Sequence, residues 1–427
     1  MTTATLEHPK TEPPKTRQSR SKAASAGSAR NAGSKTAQDP QPVVPVVGIL
    51  DQQDQHGFLR VDGYAPGPRD LYVPPALIRR HGLRSGDLVV GAAAPDPVDA
   101  SDSSYTSKSG KASDKARPLL RVETVNGRPA DQPHTRPRFG DMTPLYPHQR
   151  LRLETDAAQY STRAIDLVSP IGKGQRGLIV APPKTGKTML LQAIARAVTV
   201  NHPECHLMVV LLDERPEEVT DMRRSVAAEV IASTFDRPVS EHIAVAELAV
   251  ERAKRLAEAG QDVVILLDSI TRLCRAHNSN AKSGGRTLTG GVDAASVAAP
   301  KRLFGAARNL EEGGSVTILA TALVDTGSRA DDYFFEELKS TGNMELRLDR
   351  ALADRRIFPA IDVAGSSTRR EELLVPGDEL DALRRLRRVL LSRPTQQAAE
   401  LLLERMKLTS GNDVFLRSIR QTTPAGV

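Results

Sequence analysis

The stretch GLIVAPPKTGKTMLLQAIARAV, residues 177–198, decides the fold, because an apolar run, a basic glycine-containing turn and an amphipathic run follow one another directly. This order is typical of the strand, loop and helix of a phosphate-binding loop. The loop departs from the usual pattern at its start, where Ala181 replaces glycine and Pro182 and Pro183 follow. Proline has no backbone N–H, so these two residues cannot donate to a phosphate.

The departures still leave a complete set of phosphate-binding groups. Ala181 is expected at a strand end, where no positive φ is required, and the prolines stiffen the entry to the loop. The amides of Lys184 to Thr188, at the start of the following helix, are predicted to face the phosphates. Gly186 permits close approach, Lys187 neutralises the β- and γ-phosphates of ATP, and the Thr188 hydroxyl is predicted to ligate Mg²⁺. The alternative is a basic turn before a helix with no ligand.

Further apolar runs surround this unit. Three of them are typical of buried parallel strands: LMVVLLD (207–213), VVILLD (263–268) and VTILAT (316–321). Helical stretches are predicted between them, including 187–199 and 241–259. The pattern predicts an α/β domain around a central parallel sheet.

Hydrolysis needs groups beyond the loop. Asp268 closes one predicted strand and suits Mg²⁺ binding, whereas Glu214 follows another and is predicted to polarise the attacking water. A surface carboxylate is the alternative for Glu214. Two arginine pairs are candidates for an arginine finger and equally for a solvated charge run: Arg355 with Arg356, and Arg369 with Arg370.

The N-terminal third differs from the rest of the chain in composition and in the pattern of its apolar residues. Residues 1–42 are rich in Ala, Ser, Pro and Thr and carry seven Lys/Arg against three carboxylates, which predicts a disordered basic tail with +4 of the chain's net +7. Five short apolar runs between 46 and 125 predict a small β-barrel, interrupted by the polar loop 95–117. The expected domains are a tail 1–42, a barrel 43–126, a linker 127–150 and an ATPase domain 151–427.

Composition excludes several classes of protein. Two cysteines make neither a disulfide framework nor a zinc site. No apolar run reaches the roughly 18–20 residues that a membrane span needs, and we expect no membrane partner. The N-terminus lacks the apolar core of a signal peptide, so the expected compartment is the cytoplasm.

The motifs together closely resemble one family. LVSPIGKGQRGLIVAPPKTGKTMLLQ, LLDERPEEVTDM, LLDSITRL, LTGGVDA, PKRLFGAARN, TALVDTGSRADD, STGNMELRLDR and RRIFPAID are similar to motifs of bacterial transcription termination factor Rho, over about residues 45–420. The resemblance implies a RecA-like P-loop ATPase core behind an N-terminal OB-fold, cold-shock-like barrel, assembled as a homohexamer. It also implies an ATP-dependent 5′→3′ RNA translocase and helicase that binds nascent single-stranded RNA and releases it from the RNA polymerase elongation complex.

Carried over by motif, the resemblance implies a set of ATP-site residues. Glu214 would be the catalytic base, and Arg369, with Arg356 assisting, would act on the neighbouring subunit's nucleotide. Phe358 would stack on adenine. The remaining ATP contacts would be Gly172, Lys173, Gly174, Gln175, Arg176, Gly177, Lys184, Thr185, Gly186, Lys187, Thr188, Met189, Arg215 and Asp268.

The resemblance also implies two RNA sites. The primary site on the barrel would comprise Gln55, His56, Gly57, Phe58, Leu59, Arg60, Asp70, Leu71 and Tyr72. Phe58 and Tyr72 would stack on bases, and Arg60 and Asp70 would make polar contacts; ordinary barrel core is the alternative for Phe58. The secondary site in the pore would comprise Thr287, Leu288, Thr289, Gly290, Gly291 and Arg329.

Four departures from the family pattern concern RNA binding. His56 stands where the family generally has phenylalanine, and Arg329 stands where it usually has lysine. Ala116 or Arg117 occupies a position where an aromatic residue is expected. The basic tail is expected in place of the family's small helical N-terminal subdomain.

Two other functions are compatible with parts of this pattern. A nucleotide-binding subunit of a rotary proton pump shares the RecA-like core and a small barrel, but it lacks the GFLR and DLY signature and the LTGG loop. A nucleotide-gated RNA-binding protein without motor action is disfavoured by the combination of Glu214, Asp268 and Arg369.

Overall fold

The computed structural model describes residues 43–54, 56–95, 117–132, 136–281, 287–288, 291–293 and 296–422. The predicted tail 1–42, most of the loop 95–117 with Ala116, and the site residues Gln55, Thr289 and Gly290 lie outside the described residues.

The N-terminal domain is a six-stranded antiparallel sheet with one helix. Its elements are β1 (Val44–Gln53), β2 (His56–Arg60), β3 (Leu71–Val73), α1 (Pro75–His81), β4 (Leu88–Ala93), β5 (Leu119–Val125) and β6 (Arg128–Pro129). The strand order is β3-β2-β1-β4-β5-β6, and a bridge between Tyr72 and Pro118 joins β3 to the start of β5. This bridge closes the sheet, so the prediction of a small OB-type barrel is confirmed, with a sixth, two-residue strand beyond the five predicted.

The barrel core follows from the two-residue alternation of its strands. Leu50, Leu59, Leu71 and Val89 point inward and are fully buried. Their neighbours in sequence face the other side, which places Phe58 and Tyr72 away from this core.

The remaining chain forms an α/β domain. Its first elements are β7 (Pro144–Leu145), β8 (Arg150–Leu151), α2 (Tyr160–Val168), β9 (Ile171–Gly172), β10 (Arg176–Ala181), α3 (Lys187–Asn201), β11 (His206–Glu214), α4 (Pro216–Ser225), β12 (Glu229–Thr234), α5 (Val239–Glu258), β13 (Asp262–Asp268) and α6 (Ile270–Asn280). They continue with β14 (Thr287–Leu288), β15 (Val292–Asp293), α7 (Ala298–Phe304), β16 (Arg308–Leu310), β17 (Ser315–Leu323), α8 (Arg329–Lys339), β18 (Met344–Leu348), α9 (Arg350–Asp354), β19 (Ile361–Thr368), α10 (Gly377–Leu391), α11 (Thr395–Lys407) and α12 (Asn412–Thr422).

The central sheet has nine strands. Seven follow the order β12-β11-β13-β17-β10-β18-β19 and are parallel except for β19, and β16 pairs antiparallel with β17 and with β7. All four predicted strand runs and both predicted helices are present. We call the edge where the parallel strands end the carboxyl edge, and the edge where they begin the amino edge. In open α/β sheets ligands bind outside the carboxyl edge.

The segment 127–150, predicted as a linker, is packed against the ATPase domain. Phe139 and Met142 are buried in the same cluster as Leu178 and Ala249. The barrel also approaches helix α5 closely, since a Cβ added at Gly86, which has φ +85°, would lie 2.3 Å from the Glu251 carbonyl carbon. No helix in the described part of the chain is long and apolar enough to cross a membrane.

Candidate nucleotide and RNA sites

The phosphate loop runs from the end of β10 to the start of α3. Lys184 and Gly186 adopt positive φ, +66° and +87°, which curl the backbone between strand and helix. The Thr185 hydroxyl donates to the Pro182 carbonyl at 2.8 Å and fixes the turn. The prolines therefore lie at the entry of the loop, and the amides that follow lie at a helix N-terminus, where an anion is stabilised.

Two carboxylates from neighbouring strands meet the loop lysine. The Lys187 ammonium lies 2.6 Å from Asp268 Oδ1 and 3.3 Å from Glu214 Oε1. The Thr321 hydroxyl, on β17, also donates to Asp268 Oδ1 at 2.8 Å. The parallel sheet brings these groups together because β10, β11, β13 and β17 all end at the carboxyl edge.

Glu214 has the environment of a general base. It is 4% exposed, and burial raises the pKa of its carboxyl, while the positive charges of Lys187 and Arg272 oppose the rise. Arg272, on α6, lies 3.3 Å from Glu214 Oε1 and also donates to the Asp213 carbonyl. Sequence analysis did not identify Arg272, although its motif, LLDSITRL, was noted.

Phe358 lies over the phosphate loop. A Cβ added at Gly186 would be 3.5 Å from Phe358 Cε1, and the ring is 46% exposed. Such an exposed ring beside the loop is placed to stack on a base. Arg215 is exposed beside Glu214 at the start of α4, and Met189 is exposed in the first turn of α3.

The run Gly172–Gly177 lies at the other edge of the sheet. Its last two residues, Arg176 and Gly177, begin β10, whereas the phosphate loop follows that strand, and the five residue steps from Arg176 to Ala181 span roughly 17 Å. The Lys173 ammonium is paired with Asp262 at 2.7 Å and with Glu204 at 3.0 Å. The structure therefore does not bring this predicted ATP-binding run to the phosphate loop of its own chain.

Arg369 also lies at the amino edge. Thr368 pairs with Met344, and Met344 pairs with Gly177 at the beginning of β10. Burial, together with the charges of Arg308 and Arg369, lowers the pKa of Arg176.

One side chain that sequence analysis passed over connects these groups. Asn343 Oδ1 accepts from the Arg176 amide at 2.8 Å and from Gln175 Nε2 at 2.7 Å. The Asn343 carbonyl accepts from the Arg369 amide at 2.9 Å. Asn343 thus ties the start of the GKGQRG strand to the backbone of the predicted finger.

Arg356 lies at the opposite end of β19 from Arg369. Ile361 pairs with Leu348 at the carboxyl edge, and Phe358, two residues after Arg356, reaches the phosphate loop. Strand β19 therefore carries Arg356 and Arg369 to different edges of the sheet.

Three rings form an aromatic cluster on the barrel. The centroids of His56 and Phe58 are 5.8 Å apart, those of His56 and Tyr72 are 5.9 Å apart, and those of Phe58 and Tyr72 are 6.2 Å apart. Leu59 and Leu71, which were predicted RNA contacts, are fully buried in the barrel core and have no surface to offer a ligand. Gly57 is also buried, and a Cβ there would lie 2.8 Å from Leu50 Cδ1.

Arg60 and Asp70 are buried beneath this cluster and paired with each other. Arg60 Nη1 lies 2.5 Å from Asp70 Oδ2, and Asp51 pairs with the same guanidinium. Arg60 Nε and Asp70 Oδ1 are buried without a hydrogen-bond partner in the described part of the chain. Burial without a partner costs free energy, so a donor and an acceptor remain for a ligand.

The described residues of the predicted pore segment form a short strand pair that helix α6 contacts. Strand β14 pairs with β15, and Gly291 turns between them with φ +75°. Asn278 Oδ1 accepts from the Asp293 amide at 2.8 Å. Arg329 is exposed at the first position of α8.

Helix α6 contacts all three functional regions. Arg272 pairs with Glu214, Arg275 Nε donates to Asp331 of α8 at 2.9 Å, and Asn278 contacts the strand pair of the pore segment. Each of these positions lies three residues after the one before, so the contacts follow successive turns of one rigid helix.

Comparison with known proteins gives matches to both domains. Residues 161–368 match the family model "ATP synthase alpha/beta family, nucleotide-binding domain", and residues 46–131 match "Rho termination factor, RNA-binding domain". The chain is 61% identical over 380 residues to transcription termination factor Rho of Streptomyces coelicolor, which covers 89% of this chain and 86% of that protein. The Rho of Streptomyces lividans is 60% identical over 377 residues, 88% of this chain and 52% of that protein. This chain therefore spans about half the length of the second relative.

Solved structures show the same core fold. The assembled ATPase EscN of the enteropathogenic E. coli type III secretion system matches with a TM-score of 0.54 at 22% identity, over 69% of this chain and 79% of that chain. A prototypical type III secretion ATPase matches with a TM-score of 0.52 at 22% identity, over 69% of this chain and 94% of that chain. At this identity the likeness concerns the fold alone.

Proposed function

Because the chain belongs to the Rho family of transcription termination factors, we propose that it hydrolyses ATP to move 5′→3′ along nascent single-stranded RNA. This movement unwinds RNA and releases the transcript from the RNA polymerase elongation complex in the cytoplasm. The observation that carries the proposal is the meeting of Lys187, Asp268 and Glu214 beside a phosphate loop, in a chain whose barrel matches a Rho RNA-binding domain.

In the chemical step, Glu214 orients and polarises the attacking water. Its buried carboxylate is a stronger base than an exposed one, because burial disfavours its charged form. Lys187 and the amides at the start of α3 hold the phosphates, where the positive end of the helix favours negative charge. Phe358 stacks on adenine and Arg215 lines the site.

The oxygen groups near the loop also fit Mg²⁺. Thr188 offers a hydroxyl in the first turn of α3, and Asp268 offers a buried carboxylate at a strand end. Mg²⁺ prefers one or two such ligands together with waters and phosphate oxygens. When bound, the ion neutralises charge that develops on the phosphate oxygens.

The position of Arg369 supports a homohexamer with shared sites. An arginine at the amino edge lies too far from its own phosphate loop to contact a γ-phosphate there. In a ring, the amino edge of one subunit can face the carboxyl edge of the next, which brings Arg369 to the neighbour's nucleotide. The run Gly172–Gly177 and Asn343 lie on the same side and would belong to this contributed face.

RNA binding is divided between the barrel and the pore. On the barrel, Phe58 and Tyr72 stack on bases, and Arg60 and Asp70 contact a base edge through the 5% of each side chain that is exposed. In the pore, the 287–291 segment and Arg329 grip the backbone. Helix α6 connects that grip to Glu214, so RNA in the pore can change the geometry of the catalytic base.

The proposal is tested by ATP hydrolysis with and without a C-rich single-stranded RNA. Stimulation by RNA is the expected result. Hydrolysis that ignores RNA would instead favour a rotary-pump-like ATPase, and RNA binding without hydrolysis would favour a nucleotide-gated RNA-binding protein.

A further inference from the structure

A basic cleft lies between the barrel and the ATPase domain, outside the sites described above. Its volume is about 460 Å³, and its walls come from the barrel, the segment 138–140, helix α5 and the region of α7 and β16. Six cationic side chains and only two carboxylates line it. The cations are Arg84, Arg138, Lys254, Arg255, Arg302 and Arg308, and the carboxylates are Glu251 and Glu258.

Both carboxylates are already used within the chain. Glu258 pairs with Arg84 at 2.8 Å and with Arg255 at 2.9 Å. Glu251 pairs with Lys254 at 2.6 Å. The two acids therefore offset two of the three cations of the barrel loop and of α5, and three of the four positive charges in excess lie on the other arginines of the cleft.

Those other arginines have no ion pair among the described residues. They are Arg138, Arg302 and Arg308. Glu247 on α5 lies near enough for its charge to act on Arg302, but it forms no ion pair with that residue. Arg308 is fixed in place, because its guanidinium lies 4.9 Å from the centroid of the buried Phe139 ring and donates to the Gly305 carbonyl at 3.0 Å.

The chemistry of these groups selects phosphate as the ligand. Guanidinium groups bind phosphate oxygens through paired N–H donors, and a cleft with an uncompensated positive charge attracts anions. Phe139 is the only aromatic ring among the described residues that line the cleft, and it is 5% exposed and covered by Arg308, so it is not available to stack on a base. The cleft therefore suits the phosphate backbone of a nucleic acid better than its bases.

The position of the cleft indicates which phosphates it binds. Arg84 belongs to the barrel, which carries the aromatic cluster, and Arg302 belongs to α7, which follows the strand pair of the pore segment along the chain. We propose that this cleft binds phosphate groups of the RNA backbone between the barrel and the pore, as a third RNA contact. The inference rests on the proposed RNA-binding function.

The test replaces Arg302 and Arg138 by glutamine, singly and together, in the full chain. RNA affinity is measured against salt with a long C-rich RNA and with a short oligocytidine that occupies only the barrel. Each single change should weaken long-RNA binding about tenfold and make its salt dependence shallower by ~0.7 log unit. Oligocytidine binding and ATPase activity at saturating RNA should not change.

Matched variants separate charge from structure. Arg405→Gln, on the exposed face of α11, removes a positive charge elsewhere and should leave the salt dependence unchanged. Arg302→Lys keeps the charge and should restore most of the affinity. If Arg302→Gln lost binding and Arg302→Lys lost it equally, the electrostatic contact would be disproved.

Two further outcomes would overturn the proposal in distinguishable ways. Unchanged long-RNA binding in the double variant, while Phe58→Ala still weakens it, removes the third contact and leaves the proposed function standing. If neither variant affects RNA, the RNA-binding function itself fails. Inorganic tripolyphosphate is used as a second probe. If the double variant loses tripolyphosphate binding but keeps its RNA binding, the cleft is assigned to a free polyphosphate instead of RNA.

Discussion

The ammonium of Lys187 lies 2.6 Å from the carboxylate of Asp268, although 81 residues separate them in the chain. The contact joins the helix after β10 to the end of β13, and Glu214 reaches the same ammonium from β11. Three strands thus converge on one positive charge at the carboxyl edge. Because these side chains come from different elements, mutating them one at a time separates nucleotide binding from hydrolysis.

Glu214→Gln should abolish RNA-stimulated hydrolysis while ATP still binds. The amide keeps the shape of the side chain but cannot act as a base, and loss of such a group costs about 10²- to 10⁴-fold. Lys187→Ala should lose ATP binding as well as turnover, since the phosphates lose their cation. Nucleotide binding measured by fluorescence, beside ATPase rates, checks both. Parent-rate hydrolysis by Glu214→Gln would show that another group is the base.

The pH dependence of turnover should report the buried carboxyl. Burial raises the pKa of Glu214, and the base works only when ionised, so kcat should rise with pH through a pKa above the ordinary glutamate value. Arg272→Gln removes a positive charge that opposes this rise, so the acid limb should move to higher pH. The pH profile of kcat at saturating ATP and RNA, recorded for the parent and for Arg272→Gln, measures the acid limb of each. A limb unmoved by Arg272→Gln would argue against Glu214 as the titrating group.

Arg369→Ala should reduce turnover by about 10³- to 10⁵-fold and leave the hexamer assembled, because an arginine finger acts on transition-state charge. Mixing Arg369→Ala subunits with Lys187→Ala subunits should partly restore activity, since some interfaces regain both an intact loop and an intact finger. Arg370→Ala, which changes the adjacent exposed arginine, is the control. No recovery at any mixing ratio would mean that Arg369 acts within its own subunit.

Asn343→Ala should lower kcat with little change in the KM for ATP, because it removes the Oδ1 hydrogen bonds to Arg176 and Gln175 that hold the Asn343 main chain, whose carbonyl accepts from the Arg369 amide. In mixed rings, Asn343→Ala subunits should behave like Arg369→Ala subunits. Adding Lys187→Ala subunits should therefore restore ATPase activity, and adding Arg369→Ala subunits should not. Asn343→Asp, which keeps the accepting oxygens, should retain more activity than Asn343→Ala. Rescue by Arg369→Ala subunits would contradict the positioning role.

Phe58→Ala should weaken RNA binding without lowering ATPase at saturating RNA, since each stacked base contributes ~1–3 kcal/mol to binding alone. Arg329→Ala should do the reverse, because the pore contact is coupled to nucleotide state. Both variants are measured for RNA affinity, ATPase and transcript release. An inactive Phe58→Ala beside a normal Arg329→Ala would end the two-site model.

Much of the fold followed from local sequence. The order of strand, GKT turn and amphipathic helix predicted the phosphate loop, because backbone geometry and side-chain chemistry are specified there within about twenty residues. The alternation of apolar residues predicted the barrel strands for the same reason. Glu214 and Asp268 were identified because strand ends are visible in sequence and parallel strands end at one edge.

The tertiary structure alone decided which side of the sheet each arginine occupies. Sequence placed Arg356 and Arg369 in neighbouring motifs, but the intervening strand β19 carries them to opposite edges. Arg272 and Asn343 likewise gain their partners only through packing between elements distant in the chain. Burial of Leu59, Leu71 and Arg60 depended on closure of the barrel. Local patterns specify an element and its chemistry, whereas strand order and register determine which chemistries meet.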